Sequence, residues 1–112
     1  MWLKLGLNLE ILYFMDYINK PLVLNARNVG QHVENAVYVG RPSKFGNPFA
    51  AKSELDREAV IEKFREYFYS NDEIRDAAVA ELMDKHLICW CSPKDCHATI
   101  IRDYVWEIKN GL

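Results

Sequence analysis

Leu87-Ile88-Cys89-Trp90-Cys91-Ser92-Pro93-Lys94-Asp95-Cys96-His97 compresses a strand, a turn and a helix start into eleven residues and holds all three cysteines of the chain. Leu87 to Trp90 is a short apolar run of strand character, Ser92-Pro93 breaks it, and Asp95 is a good N-cap for the amphipathic segment that follows. A strand that feeds directly into a helix offers an anion the unpaired N–H groups and the positive end of the helix dipole. Cys96 and His97 are expected in the first turn of that helix, where the dipole favours a thiolate, so Cys96 reads as the reactive thiol. Cys89, inside the strand, reads as inert packing.

Outward from this stretch the chain alternates strands and helices. Downstream, Ala98, Ile100, Ile101, Tyr104, Val105 and Ile108 form an apolar stripe at helical spacing that runs up to Gly111. Upstream, Ser53 with Asp56 resembles a capping box for a helix carrying Ala59, Val60, Ile61, Phe64, Tyr67 and Phe68, and a second helix is expected from about Asn71. The eight acidic against four basic residues from Glu54 to Asp76 describe a solvated outer face. Pro21 to Ala26 and Ala36 to Gly40 read as two further strands, joined by a polar connection over 27–35. The pattern predicts a small α/β domain, two-layered or three-layered and Rossmann-like, with a short, mainly parallel sheet covered by helices and a right-handed helical crossover.

A chain of 112 residues, half of them apolar, suffices for one domain with a modest core, and so for one site. Residues 21–112 are read as that domain and residues 1–20 as a peripheral extension, with Met15 as an alternative start to Met1. The segment 1–14 is too short and too polar to span a membrane and lacks a signal-peptide cleavage pattern. A net charge of −2 argues against strong non-specific nucleic-acid binding, which needs a positive field. Three clustered cysteines fit a reducing compartment, so a cytoplasmic protein is expected.

Val39-Gly40-Arg41-Pro42, Phe45-Gly46-Asn47-Pro48-Phe49 and Cys89-Trp90-Cys91-x-Pro93-x-x-Cys96-His97 together resemble the family known as domain of unknown function 4326, common in phage and bacterial genomes. The resemblance covers roughly Leu22 to Ile108 and rests on two motifs in the expected order. It implies no particular reaction. The strand followed by Cys-His is also similar to the ending of another small uncharacterised α/β family, an analogy that favours a Rossmann-like sheet. Asp84 stands where the family commonly has glycine, and Thr99 where it often has aspartate. Were that aspartate catalytic in the family, this chain would bind without turning over.

Arg41 follows a strand and opens a loop that has Arg41, Lys44 and Lys52 but no acidic residue between Ala36 and Ser53. In an α/β sheet that places it at the carboxyl edge, where ligands bind, although an arginine there also serves to pair with a surface carboxylate. Gly46-Asn47-Pro48 either presents backbone N–H groups and the Asn47 amide to a ligand or is a plain turn. Cys89, Cys91, Cys96 and His97 invite a zinc reading, but adjacent residues on a helix point roughly 100° apart, so no metal is expected. No cofactor is expected either. His97 at a helix N-terminus is expected to stay neutral, as an acid/base or hydrogen-bonding group or as a cap on its own loop. Trp90 reads as core rather than as a base-stacking platform.

The site expected from these residues takes a nucleotide-like or other phosphorylated small molecule between Arg41, Lys44, Gly46 and Asn47 of one loop and Cys91, Cys96 and His97 of the other. If the protein is an enzyme, it is a nucleotide-directed transferase or hydrolase with His97 as acid/base and Cys96 as nucleophile. The alternative is a protein-interaction module, acting between phage and host, with structural cysteines and no small-molecule chemistry.

Overall fold

Three short strands, β1 (Val23–Asn25), β2 (Ala36–Tyr38) and β3 (His86–Cys89), form a wholly parallel sheet in the order β1-β3-β2. The computed structural model describes residues 20–91 and 96–111. Leu87 pairs with Val23 on one side and Val37 on the other, so β3 is hydrogen-bonded along both edges. The apolar run Leu87–Cys89 follows from that central place, since a parallel strand covered on both faces has no solvent side to alternate toward. Leu87, Ile88 and Cys89 are all buried.

Among the described residues four α-helices flank the sheet: α1 (Ala26–Val29), α2 (Arg57–Tyr69), α3 (Asp72–Leu82) and α4 (His97–Lys109). Helices α2, α3 and α4 pack on one another, and α4 also packs on β3 and β1. Phe64 and Phe68 of α2, Leu82 of α3, Ile101 of α4 and Leu87 of β3 meet in one apolar cluster. Asn71 caps α3 as its sequence suggests, its side-chain oxygen accepting the Ile74 N–H at 3.1 Å.

Several local expectations are corrected. The connection over 27–35 contains α1, which Asn25 caps by accepting the Arg27 N–H at 2.8 Å and Gly30 ends at φ 78°. The capping box at Ser53 is not formed. Residues Glu54–Asp56 wind instead into a 3-10 turn that delivers the chain to α2, with the Asp56 N–H on the Ser53 carbonyl at 3.1 Å. Helix α4 starts one residue later than expected, with Cys96 as its N-cap in an extended conformation, and Asp95 lies outside the described residues. Its buried stripe includes Trp106, 7% exposed, whereas Ile108 is 45% exposed. Ala59 also lies on an exposed face.

Asp84 takes φ 62°, the left-handed region that glycine enters freely and aspartate enters at modest cost. Its carboxylate is 2.6 Å from Lys109 Nζ at the end of α4. The segment read as a peripheral extension lies outside the described residues except for Lys20, whose ammonium is 2.8 Å from Asp103 Oδ1. Among the described residues no helix is long and apolar enough to cross a membrane.

Candidate functional site

Parallel strands carry their chain ends to one edge, and here the segments leaving β2 and β3 open onto a cavity of about 220 Å³ against the starts of α2 and α4. Arg41, Asn47, Cys91, Cys96 and His97 all line it. Of the residues expected at the site, Gly46 and Lys44 do not.

The β2 end is fixed first. The Val39 N–H donates to the Ile88 carbonyl at 2.9 Å, so the pairing with β3 continues one step past the strand. The Tyr38 hydroxyl donates to the Arg41 carbonyl at 2.8 Å and accepts the Trp90 indole N–H at 2.9 Å. Gly40 is required between them, because a Cβ there would lie 2.6 Å from Tyr38 Cζ. The loop then folds as two successive turns, with the Ser43 N–H on the Gly40 carbonyl and the Gly46 N–H on the Ser43 carbonyl, both at 2.9 Å. Gly46 works by close approach, since a Cβ on it would sit 3.0 Å from the Arg41 backbone nitrogen. Asn47 Oδ1 accepts the Phe49 N–H at 2.9 Å, which commits the oxygen to the turn and leaves the NH₂ end as donor. Lys44 is turned to α3, where it pairs with Glu81, and its ammonium lies 5.4 Å from the Phe45 ring centroid.

Trp90 is a correction. It is 49% exposed and lines the cavity, because β3 pairing ends at Cys89 and the next residue stands beyond the sheet. Its carbonyl accepts from Asn25 Nδ2 at 3.2 Å, which ties the strand end to β1. Arg57, Phe49, Val60 and Ile61 complete the wall. Arg57 is a cavity-lining residue that sequence reasoning missed: it reads locally as the i+3 partner of Glu54, which it does contact at 2.6 Å, and nothing near it in the chain points to Cys91.

The three thiols form one cluster. Cys89 Sγ and Cys96 Sγ are 2.9 Å apart. Interactions with the Cys89 and Cys96 thiols, and with the Arg57 guanidinium, favour the Cys91 anion and lower its thiol well below the ordinary range against the cost of desolvation. Cys96 is pushed strongly the other way by the same thiol contacts and by burial. Thiolate character is thus favoured at Cys91 over Cys96, the expected nucleophile, and Cys89, read as inert packing, has its sulfur in contact with that of Cys96. Two sulfurs this close do not suit one tetrahedral zinc, whose thiolate ligands stand about 3.8 Å apart, and among the described residues no group of His, Cys, Asp or Glu is arranged to hold a metal ion.

His97 is buried at the head of α4, with Nε2 2.8 Å from the Val39 carbonyl. A carbonyl only accepts, so Nε2 carries the proton and Nδ1 keeps the lone pair. Burial lowers its basicity against smaller opposing effects of the Val39 carbonyl and Cys91, and Arg41 adds the least, also downward. The imidazole is held neutral chiefly by desolvation rather than by the helix dipole. Phe64 presents its ring to it edge-on at 5.2 Å between centroids.

What the arrangement offers is two guanidinium groups, a readily ionised thiol, a neutral imidazole and an indole around one opening. No curated protein and no solved structure matches the chain. The sequence pattern of one family, the domain of unknown function DUF4326, matches residues 23–107, a span that runs from the first residue of β1 into the last turns of α4 and so takes in the whole sheet and every described wall of the cavity. The chain belongs to the DUF4326 family.

Proposed function

We propose that this cavity binds, and where chemistry follows acts on, a nucleotide-like or other phosphorylated small molecule. The observation that carries the reading is its charge: Arg41 and Arg57 line the cavity, and no Asp or Glu does among its described lining residues, in a chain with 16 acidic residues. Guanidinium groups match phosphate oxygens in geometry as well as charge. The half-exposed Trp90 indole supports a ligand that carries a flat ring beside its anionic part, since such rings gain from stacking. A site at the carboxyl edge of a parallel sheet supports a Rossmann-like reading of the domain. In an enzyme, His97 Nδ1 would handle the proton and Cys91, not Cys96, would be the attacking thiol.

Thermal unfolding with inorganic phosphate, ribose 5-phosphate and a nucleoside monophosphate tests the proposal. At a hundredfold excess over its dissociation constant a ligand should add about 2.7 kcal/mol of stability, a rise of several degrees for a domain of this size. Arg41→Ala should remove most of that shift and leave the ligand-free midpoint nearly unchanged, because an exposed arginine contributes little to folding. No shift with any of the three compounds at millimolar concentration, or an equal shift in Arg41→Ala, would overturn the reading.

A further inference from the structure

The polar side chains around the cavity are nearly all hydrogen-bond donors. Arg41 and Arg57 can only donate. Asn47 gives its oxygen to the Phe49 N–H, so its NH₂ end is a donor as well. The Trp90 N–H is taken up by the Tyr38 hydroxyl, and the carbonyls of Gly40, Arg41 and Trp90 each already accept a hydrogen bond. Among the described lining residues no Asp, Glu, Ser, Thr, Tyr or Gln contributes an oxygen, and thiols are weak acceptors. One strong side-chain acceptor remains, on His97. Its ring makes one hydrogen bond, through Nε2 to the Val39 carbonyl. Among the described residues no fully buried side-chain nitrogen or oxygen is left without a partner. Nδ1 has none, so it is not sealed in the core but opens on the cavity that the ring lines.

An anionic group satisfies the donors and leaves this nitrogen unanswered. We propose that His97 Nδ1 accepts a hydrogen bond from a hydroxyl of the ligand, so that the molecule bound is a phosphorylated sugar, free or as part of a ribonucleotide, rather than an anion without hydroxyls. This contact presupposes the phosphate site proposed above and narrows what occupies it. The bond to Val39 fixes both the tautomer and the place of the ring: Val39 stands two residues before Arg41, and the imidazole is held at the same opening as that guanidinium. One end of a sugar phosphate then meets Arg41 while a hydroxyl meets Nδ1. Burial keeps the ring neutral, which preserves the lone pair. A phosphate ester without hydroxyls covers Nδ1 and gives it nothing to accept, and that cost of an unanswered polar atom is what discriminates.

Adenosine 5′-monophosphate and its 2′,3′-dideoxy counterpart, compared by titration calorimetry on the full chain, decide the matter. The first should bind about tenfold more tightly, the effect of withholding one hydrogen bond from a largely buried acceptor. Ribose 5-phosphate keeps the hydroxyls without the base and should bind more tightly than inorganic phosphate; affinity equal to that of the nucleotide assigns a free sugar phosphate, and lower affinity a ribonucleotide. His97→Gln keeps a donor where Nε2 stands and removes the acceptor at Nδ1, so it should erase both preferences. Because that variant changes a buried residue, wild-type protein labelled with nitrogen-15 histidine provides a second readout. Adenosine 5′-monophosphate should move the His97 Nδ1 resonance upfield, and the dideoxy compound should not. Equal affinity of the two nucleotides, ribose 5-phosphate no tighter than inorganic phosphate, a preference that survives in His97→Gln, or an unmoved Nδ1 resonance would each overturn the proposal. If inorganic phosphate raises the thermal midpoint and Arg41→Ala abolishes the rise while the two nucleotides bind alike, the phosphate site stands and the hydroxyl contact falls. If none of the four compounds binds, both fall.

Discussion

Between pH 8 and pH 6 the rate at which iodoacetamide alkylates Cys91 should stay nearly flat, whereas an ordinary thiol of pKa about 8.5 loses roughly two orders of magnitude in thiolate over that range. The expectation rests on the interactions of Cys91 with the Cys89 and Cys96 thiols and with Arg57, which together favour the anion over the thiol. A flat profile is a safer sign than a fast rate, because a thiolate of lowered pKa is also a weaker nucleophile. Arg57→Ala should restore part of the pH dependence, while Cys89 and Cys96, both buried, should label only on unfolding. The sign for stability follows. A thiol depressed in the folded state contributes in full above the unfolded value of about 8.5 and loses that contribution as pH falls below it. The raised Cys96 thiol does the reverse, contributing in full below that value and losing it as pH rises. Quantified labelling by mass spectrometry checks the profile, and a rate for Cys91 that collapses between pH 8 and pH 6 would place the charge elsewhere.

Phe64→Ala should cost about 3–5 kcal/mol, a large part of the roughly 5–15 kcal/mol that holds a domain of this size together. The side chain is fully buried, stacks on Phe68 at 5.8 Å between centroids and meets the His97 ring edge-on at 5.2 Å. Its removal leaves a cavity that the surrounding helices close only in part. Because the same ring backs His97, the variant should also loosen the head of α4. Urea unfolding followed by far-ultraviolet circular dichroism measures the loss. Leu55→Ala is the control, expected within about 0.5 kcal/mol of wild type, since Leu55 is 94% exposed. A Phe64→Ala midpoint indistinguishable from that control would mean that α2 does not pack as described.

The strand from Leu87 and the helix from His97 were the most legible elements of the chain, and for a physical reason: a strand buried on both faces and an amphipathic helix each leave a local mark. Helix α1 left none, because four residues make barely one turn and no periodicity can show in them. The start of α4 slipped by one residue because Asp95 is the better capping type by composition, while the described chain turns helical only after Cys96. Trp90 was misread by extending an apolar run one residue too far; Leu87 and Cys89 join the cluster beneath the helices, and period-two alternation places Trp90 off that face.

The walls of the cavity were legible where they follow strand ends and illegible where they come from elsewhere. Arg41 could be placed because a residue leaving a parallel strand must lie at the carboxyl edge. Arg57 could not, since its membership depends on how α2 docks rather than on its neighbours. For Lys44 the positive character of the loop was a true signal with no direction in it, and its partner Glu81 lies on α3, remote in sequence. Which of three clustered thiols is ionised depends on sulfur–sulfur contacts and on Arg57, and neither is written in the spacing of the cysteines.

The single hydroxyl of Tyr38 holds both the Arg41 backbone and the Trp90 ring, and it does so with one oxygen that donates to the first and accepts from the second. Such a relay is polarised as a unit, each bond strengthening the other. The two halves of the opening are then not independent recognition elements: a guest that shifts the indole tugs on the arginine through the phenol, and the free energies of engaging the two ends are coupled rather than additive. Discrimination at such a site resides less in either end than in the separation between them, so that a molecule of the right span is favoured over one that merely has the right groups.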